Sequence, residues 1–379
     1  MKLILSIDPI KYPLTGIGRY TYELARALSQ SDQINGLRFL SGWRLCDSIP
    51  EPAETPVTGG LRRLLVNRRA IVALYRVFSH QLKARVLRGM EDHVFHGPNF
   101  YLPPFDGPCA VTIHDLSPYL WSECHPSWRV RYMLPEIELS LQRAAVIITD
   151  SEYTRQEVAK YFAWPVEKIF AVPLASADAF YPRAPSAIRA VLGSHGLSAG
   201  GYCLFAGTIE PRKNIGALLD AYMMLPAAVR LKWPLVLAGY QGWNSDALHA
   251  RMTSAAAEGW ARYLGFVPAD HLPLLFAGAR LFVFPSLYEG FGLPVLEAMA
   301  SGVPVVCSNS SSLPEVVGDA GAMCDANDVN TLSRLIATGL QDEIWRTEAI
   351  SKGLSRAGEF SWQRCARGTI TAYQAALNV

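Results

Sequence analysis

Short apolar runs, each closed by a glycine or a polar turn, recur along this chain and alternate with helical patterns. LILSID opens the series near the N-terminus, and VFHGPN, CAVTIHD and AVIITDS follow. YCLFAG, PLVLAG, ARYLGFV, LFVFPS and PVVCSN form a second series from Tyr202 onward. Runs this short and this apolar predict strands buried on both faces, which means parallel sheets covered by helices. The alternation predicts an α/β chain, with functional residues at the carboxyl ends of its strands.

The 379 residues are too many for one ordinary core and suit two domains. We expect an N-terminal Rossmann-like unit over 1–180 and a second over 181–361, with residues 173–201, poor in strand signal, carrying the connection. A last helix from about Trp362 is expected to cross back onto the first unit. Helices are expected near 17–29, 61–88, 215–225, 245–258, 270–278 and 294–301, and an exposed loop over 46–60. Half of the residues are hydrophobic, which excludes wholesale disorder, and a net charge of +2 gives no global pull toward nucleic acid. The seven cysteines form no C-x-x-C pair, which speaks against a disulfide framework or structural zinc and suits a reducing cytoplasm. The opening MKLILSIDPIKYP is too short in apolar run for a signal peptide, and no stretch is long enough to span a bilayer.

The segment Glu289-Gly-Phe-Gly-Leu-Pro-Val-Leu-Glu297 carries the strongest chemical signal. Pro294 suits the start of a helix, where its missing N–H costs nothing. The backbone N–H groups of Gly290, Phe291, Gly292 and Leu293 then point outward at a helix start, which favours an anion. Glu289 on the preceding loop can accept hydrogen bonds from sugar hydroxyls, and Glu297 in the first helical turn can grip a ribose diol. The bland alternative is a capped surface helix with two solvated glutamates. Arg212 and Lys213 follow Pro211 after another strand and can neutralise a diphosphate. Gly16 and Gly18 form a tight turn that lets a ligand approach the backbone. Thr21 stands where a dinucleotide fingerprint needs its third glycine, which disfavours a nicotinamide cofactor.

The stretch Pro285 to Ala298 resembles the E-x7-E signature of the retaining glycosyltransferases with the GT-B fold, two Rossmann-like domains facing across a cleft. Gly207-Thr-Ile-Glu-Pro-Arg-Lys-Asn214 is similar to that family's phosphate-binding turn, although Thr208 stands where some relatives carry arginine. Thr-Gly-Ile-Gly-Arg (15–19) and His114-Asp115 extend the likeness over most of the chain. The resemblance implies roles for His114, Asp115, Arg212, Lys213 and Glu289 at the reacting centre, with His114 beside the donor sugar and Asp115 orienting it. It assigns donor binding to Gly16, Gly18, Thr208, Val267, Gly290, Phe291, Gly292, Leu293 and Glu297. Val267 ends Gly265-Phe-Val267, which either offers main-chain groups to a nucleobase or simply packs in the core.

The same resemblance points to bacterial mannosyltransferases of O-antigen assembly, a GDP-linked mannose or 6-deoxy donor, and a lipid-linked glycan acceptor. It implies retention by front-side attack without metal or other cofactor; the usual D-x-D setting of a metal-bound donor is missing from the sequence. Residues 61–88 hold eight basic and no acidic residues. Arg62, Arg63, Arg68 and Arg69 on such a helix suit the cytoplasmic face of an anionic membrane. The competing reading packs the stripe Leu64, Ile71, Tyr75, Phe78, Leu82 and Val86 against the first sheet. Two rival functions use the same architecture: a nucleotide-sugar epimerase, and a non-catalytic membrane-bound subunit.

Overall fold

The computed structural model describes residues 1–50, 69–243 and 245–378. The strands β1 (Lys2–Ser6), β2 (Gly36–Ser41), β3 (Arg44–Cys46), β4 (Val94–Gly97), β5 (Cys109–Ile113), β6 (Val146–Thr149) and β7 (Ile169–Ala171) build one sheet in the order β3-β2-β1-β4-β5-β6-β7. Within it β3 pairs antiparallel with β2, and the other pairings are parallel. The strands β8 (Cys203–Ala206), β9 (Leu235–Ala238), β10 (Ala261–Gly265), β11 (Leu281–Phe284), β12 (Val305–Ser308) and β13 (Ala322–Cys324) build a second, parallel sheet in the order β10-β9-β8-β11-β12-β13. The chain is therefore α/β with two Rossmann-like domains, as its alternating pattern predicts.

Helices α1 (Gly16–Ser29), α2 (Arg69–Leu87), α3 (Ser117–Leu120), α4 (Ser127–Arg143) and α5 (Glu152–Phe162) accompany the first sheet. With the second come α6 (Pro185–Ser194), α7 (Ile215–Met223), α8 (Ala227–Lys232), α9 (Asp246–Ala257), α10 (Leu272–Gly278), α11 (Leu293–Ala300), α12 (Leu313–Val317), α13 (Val329–Gln341) and α14 (Glu343–Gly358). Every residue of β5, β8, β9, β11 and β12 is buried, so the short apolar runs form the middle layer between helices. The last helix, α15 (Trp362–Ala376), packs on α1, β5, β6 and β7 of the first domain. Tyr373 Oη lies 2.7 Å from His96 Nδ1, and Trp362 Nε1 donates to the Ser176 carbonyl at 3.0 Å. A buried polar chain continues from His96 Nε2 to Thr112 Oγ1 at 2.8 Å and on to Tyr20 Oη at 3.0 Å. It ties α1, β4, β5 and α15 together where a purely apolar contact would leave their register loose.

In each sheet one central strand has neighbours reached by chain runs of opposite direction. β1 stands between β2 and β4, and β8 between β9 and β11. Such reversal points open a crevice at the carboxyl ends of the strands. The loops after β8 and β11 are the ones that carry Lys213 and Glu289.

Some expectations are corrected. The stretch 173–201 contains α6, which packs on α10, so the irregular connection is confined to its first part. Strands β2, β3, β7 and β13 were not foreseen; each is short or lies toward a sheet edge, where apolar patterning is weakest. Of the expected stripe on α2, Leu82 and Val86 are half-buried and Val86 packs against the core of the first domain, while Leu64 lies outside the described residues. Phe78 is 57% exposed, whereas Leu87 is buried and Lys83 turns inward to pair with Asp8 at 2.7 Å. Arg62, Arg63 and Arg68 lie outside the described residues, and Arg69 opens the helix.

Candidate functional site

Two loops that are far apart in sequence are held as one surface. After β8 the chain makes a short turn, Pro211–Lys213, that ends at Asn214 in the left-handed region. The Asn214 side chain fixes that turn by donating to the carbonyls of Pro285 and Ala326 at 3.1 and 2.7 Å. The Leu287 amide donates to the Arg212 carbonyl at 2.9 Å, which brings the loop after β11 alongside. Gly207 and Gly239 pass so close that a Cβ on Gly239 would lie 1.9 Å from the Gly207 oxygen, so the floor of the crevice admits only glycine there. Thr208 follows at the edge of that floor, half-buried, and contributes no side-chain hydrogen bond to another described residue that would turn it from the crevice.

Glu289 is buried and held by both cations. Lys213 Nζ lies 2.5 Å from Glu289 Oε1, and Arg212 Nη1 lies 3.4 Å from Oε2. Arg212 also donates to the Tyr288 carbonyl at 2.7 Å and to Glu210 Oε1 at 2.8 Å. Burial opposes the Glu289 charge, but Lys213 and Arg212 outweigh it and hold the carboxyl below its ordinary range. Burial lowers Lys213 in spite of Glu289 beside it. Arg212 and Lys213, expected as cations for a diphosphate, therefore already carry carboxylate partners.

The second carboxylate stands apart. Helix α11 begins at Leu293, one residue before Pro294, with Gly292 as its N-cap at φ 115°. A Cβ on Gly292 would meet Leu313 at 2.6 Å. Glu297 is buried in this helix, and burial pushes its carboxyl up to about 7, opposed by Arg19 on α1 of the other domain. Phe291 is core, edge-on to Phe360 at 5.9 Å. Val267 is buried as well, while Phe266 beside it is exposed and stacks on Tyr240 at 4.7 Å between ring centres.

On the facing domain, Gly16 and Gly18 lie within the first turn of α1 rather than in a loop before it. Thr15 caps the helix by accepting from the Gly18 amide at 3.3 Å. A Cβ on Gly18 would meet the Pro9 carbonyl at 2.9 Å, whereas Gly16 has open space. The start of α1 thus turns its first amides toward the carboxyl end of β1, where only that of Gly18 bonds a side chain among the described residues.

His114 is held within its own domain. Its Nδ1 lies 2.8 Å from Asp150 and its Nε2 lies 2.9 Å from the Pro98 carbonyl, so both ring nitrogens are engaged by the protein. Burial opposes its charge, yet Asp150 and the Pro98 carbonyl raise its pKa above the ordinary histidine value. Asp150, not Asp115, orients the ring. Asp115 accepts from the Ser117 amide at 2.9 Å, and against burial the Arg212 charge holds it below the ordinary carboxylate range. The part of His114 that meets the other domain is its carbonyl, against which Gly290 is seated.

The two domains are shut on each other. Tyr288 Oη accepts from the Leu116 amide at 2.9 Å and donates to Glu157 Oε2 at 2.6 Å. Ser151 Oγ and Thr154 Oγ1 donate to the Gly290 carbonyl at 2.7 and 3.2 Å. His125 and Trp243 approach across the crevice mouth, 6.4 Å between ring centres. Asp150, Ser151, Thr154 and Glu157 are not singled out by the sequence, and Arg19 only as the last residue of the Thr15–Arg19 motif. One signal was present: AVIITDS ends in Asp150 as CAVTIHD ends in His114, and neighbouring parallel strands set such ends side by side.

With this geometry in view, the chain's similarities are specific. Residues 198–356 match the family described as glycosyl transferases group 1. O-antigen chain mannosyltransferase B of Escherichia coli is 45% identical over 379 residues, covering 99% of this chain and 100% of that one. This chain belongs to the group 1 glycosyltransferases. Serotype-specific mannosyltransferase WbdA of Escherichia coli is a partial relative of this glycosyltransferase, 35% identical over 291 residues, 73% of this chain and 35% of that one. The fold is shared with HepE of Anabaena, solved with UDP and glucose, at a TM-score of 0.69 and 17% identity over 99% of each chain. That likeness establishes the GT-B architecture for this glycosyltransferase.

Proposed function

We propose that this glycosyltransferase moves mannose from GDP-mannose, with retention of configuration, onto a lipid-linked glycan during O-antigen assembly. The full-length 45% identity to O-antigen chain mannosyltransferase B supports the sugar and the process. The observation that carries the chemistry is the Lys213–Glu289–Arg212 cluster at the reversal point of the second sheet.

In this reading the donor diphosphate lies among Arg212, Lys213, Thr208 and the amides of Gly290, Phe291, Gly292 and Leu293. Those dipoles and charges meet the negative charge that develops on the leaving group, so no metal ion is required. Glu289, fixed by Lys213, accepts hydrogen bonds from the donor sugar. Glu297 receives the ribose hydroxyls, the Val267 main chain receives the nucleobase, and Gly16 and Gly18 keep the facing helix start close to the phosphates. His114 and Asp115 act as framework for this centre: His114 by seating Gly290, Asp115 by facing Arg212. The acceptor hydroxyl attacks from the face the diphosphate leaves and passes its proton to a diphosphate oxygen. Shut domains exclude water and suppress hydrolysis.

The enzyme works at the cytoplasmic face of the inner membrane, where Arg62, Arg63, Arg68 and Arg69 meet anionic head groups. Replacing these four by Ser is expected to release it from anionic vesicles; unaltered co-sedimentation contradicts the membrane role.

A thermal-shift series with GDP-, UDP-, ADP- and dTDP-sugars tests the donor, because a ligand selective for the native state raises Tm. GDP-mannose is expected to give the largest rise, and NMR of the product to show an α-linked mannose. A larger rise with a UDP-sugar, or epimerised sugar from donor alone, overturns this assignment.

A further inference from the structure

Glu289 is followed by two successive peptide carbonyls, its own and that of Gly290, which are held by different domains. Its own carbonyl accepts from Ser312 Oγ at 2.9 Å, and its amide donates to Ser311 Oγ at 2.8 Å, both within the second domain. The next carbonyl, Gly290, is held from across the crevice by Ser151 Oγ and Thr154 Oγ1 at the start of α5. The preceding side chain, Tyr288, reaches the same helix at Glu157. It is buried, stacked on Trp121 at 6.1 Å and edge-on to Tyr153 at 6.3 Å, so it fits one place only when the domains are shut.

The start of α5 is itself completed by the second domain. Glu315 on α12 accepts from the Glu152 amide at 2.8 Å with one oxygen and from the Tyr153 amide at 2.6 Å with the other. A carboxylate at a helix N-terminus satisfies amides that the helix leaves unpaired and opposes its positive end. The third amide of the turn, Thr154, is served within the domain by Ser151 Oγ at 3.1 Å. Opening the crevice therefore strips α5 of two cap contacts and strips Gly290 of its two hydroxyl donors in one movement.

We propose that the first turn of α5 is a positioning element that aligns Glu289 with the donor only on domain closure, with Glu315 and Tyr288 as the positioning residues. This rests on Glu289 being the donor-sugar ligand. Neither residue touches substrate. Glu315 stabilises the shut state by capping α5, and Tyr288 transmits α5's position to the peptide that carries Glu289. Donor bound to the second domain alone then meets a Glu289 tethered by its own domain only, and an open, wet centre.

The test compares Glu315→Ala, Glu315→Gln, Tyr288→Phe and Glu289→Gln, with GDP-mannose and an alkyl-tailed, mannose-terminated oligosaccharide. Transfer and release of free mannose are measured together. Glu315 is exposed, so its variants should keep the wild-type circular dichroism. Glu315→Ala is expected to lower kcat roughly tenfold, the population shift from losing a charge-assisted cap, with KM for the donor changed less. The ratio of hydrolysis to transfer should rise, Glu315→Gln should recover part of the loss, and Tyr288→Phe should move both readouts the same way. Wild-type kcat and hydrolysis ratio in Glu315→Ala and Tyr288→Phe, alongside an impaired Glu289→Gln, overturn the coupling. Wild-type turnover in Glu289→Gln removes the donor-ligand reading on which it stands.

Discussion

Lys213 Nζ and Glu289 Oε1, 2.5 Å apart and both buried, join the turn after β8 to the loop after β11. The pair does two things at once. It fixes a buried carboxylate at the carboxyl end of β11, and it keeps a cation where the proposed function places the donor diphosphate.

Replacing one partner leaves the other charge buried. Lys213→Ala is expected to cost stability by about 3–5 kcal/mol, the usual penalty for breaking a buried pair. It should also lower kcat by about 10²–10³, as loss of a preorganised electrostatic group does. The double variant Lys213→Ala/Glu289→Ala should regain much of the stability and none of the turnover. Chemical denaturation and steady-state kinetics on the three proteins check this; recovery of turnover in the double variant would speak against both roles.

Glu297 supplies a pH test. Its carboxyl is pushed up to about 7 by burial, so the free enzyme holds it half-protonated near neutrality. A ribose diol donates to the carboxylate, so KM for the donor should rise as pH falls below about 7, and Glu297→Gln should flatten that profile. For stability the sign is opposite. A carboxyl whose folded pKa is raised contributes fully below its unfolded value and loses that contribution as pH rises through about 7. Tm of the unliganded wild type relative to Glu297→Gln should therefore fall between pH 5 and 8. A donor KM in wild type that does not respond to pH over this range contradicts the ribose role.

Gly290 faces the His114 carbonyl with no room for a side chain, since a Cβ there would lie 1.9 Å from that oxygen. Gly290→Ala is expected to keep both domains folded while preventing full closure. Its kcat should fall by about 10² or more, because a misplacement of about 1 Å near the reacting centre has that effect. Small-angle scattering with saturating GDP-mannose should show a larger radius of gyration than wild type; equal radii and equal kcat would refute the contact's importance.

The His114–Asp150 pair gives a fourth expectation. Asp150 raises the His114 pKa against burial, while burial raises the Asp150 carboxyl in spite of His114; the histidine's contribution is complete below the ordinary histidine range and is lost as pH rises through the raised value. Asp150→Asn should lower Tm most near pH 6, and the gap to wild type should narrow toward alkaline pH. A gap that widens with pH would show the ring to be neutral.

What the sequence disclosed follows how local each signal is. The turn Gly207–Asn214 and the segment Glu289–Glu297 could be read because glycine, proline and charge sit within a few residues of one another. The parallel sheets could be read because buried strands are continuously apolar. The partner of His114 could not be read, because it depends on β5 lying beside β6. Ile113 pairs with Thr149 there, and the next residue on each strand is His114 and Asp150. Once that register is known the pair follows; without it, the adjacent Asp115 was the natural choice. Glu315 capping α5 lies further still from sequence, since the two groups belong to separate domains. Phe78 on α2 stays exposed while Asp8 and Glu136 recruit Lys83 and His80 to the inner face, and periodicity of apolar residues carries no record of that.

A crystal structure of the enzyme with GDP-mannose bound tests the central claim most directly. The pyrophosphate should lie within hydrogen-bonding distance of Arg212, Lys213 and the amides at the start of α11, with a sugar hydroxyl on Glu289 and the ribose on Glu297. A pyrophosphate bound away from the Pro211–Lys213 turn, with the Lys213–Glu289 pair facing solvent or core, would contradict it.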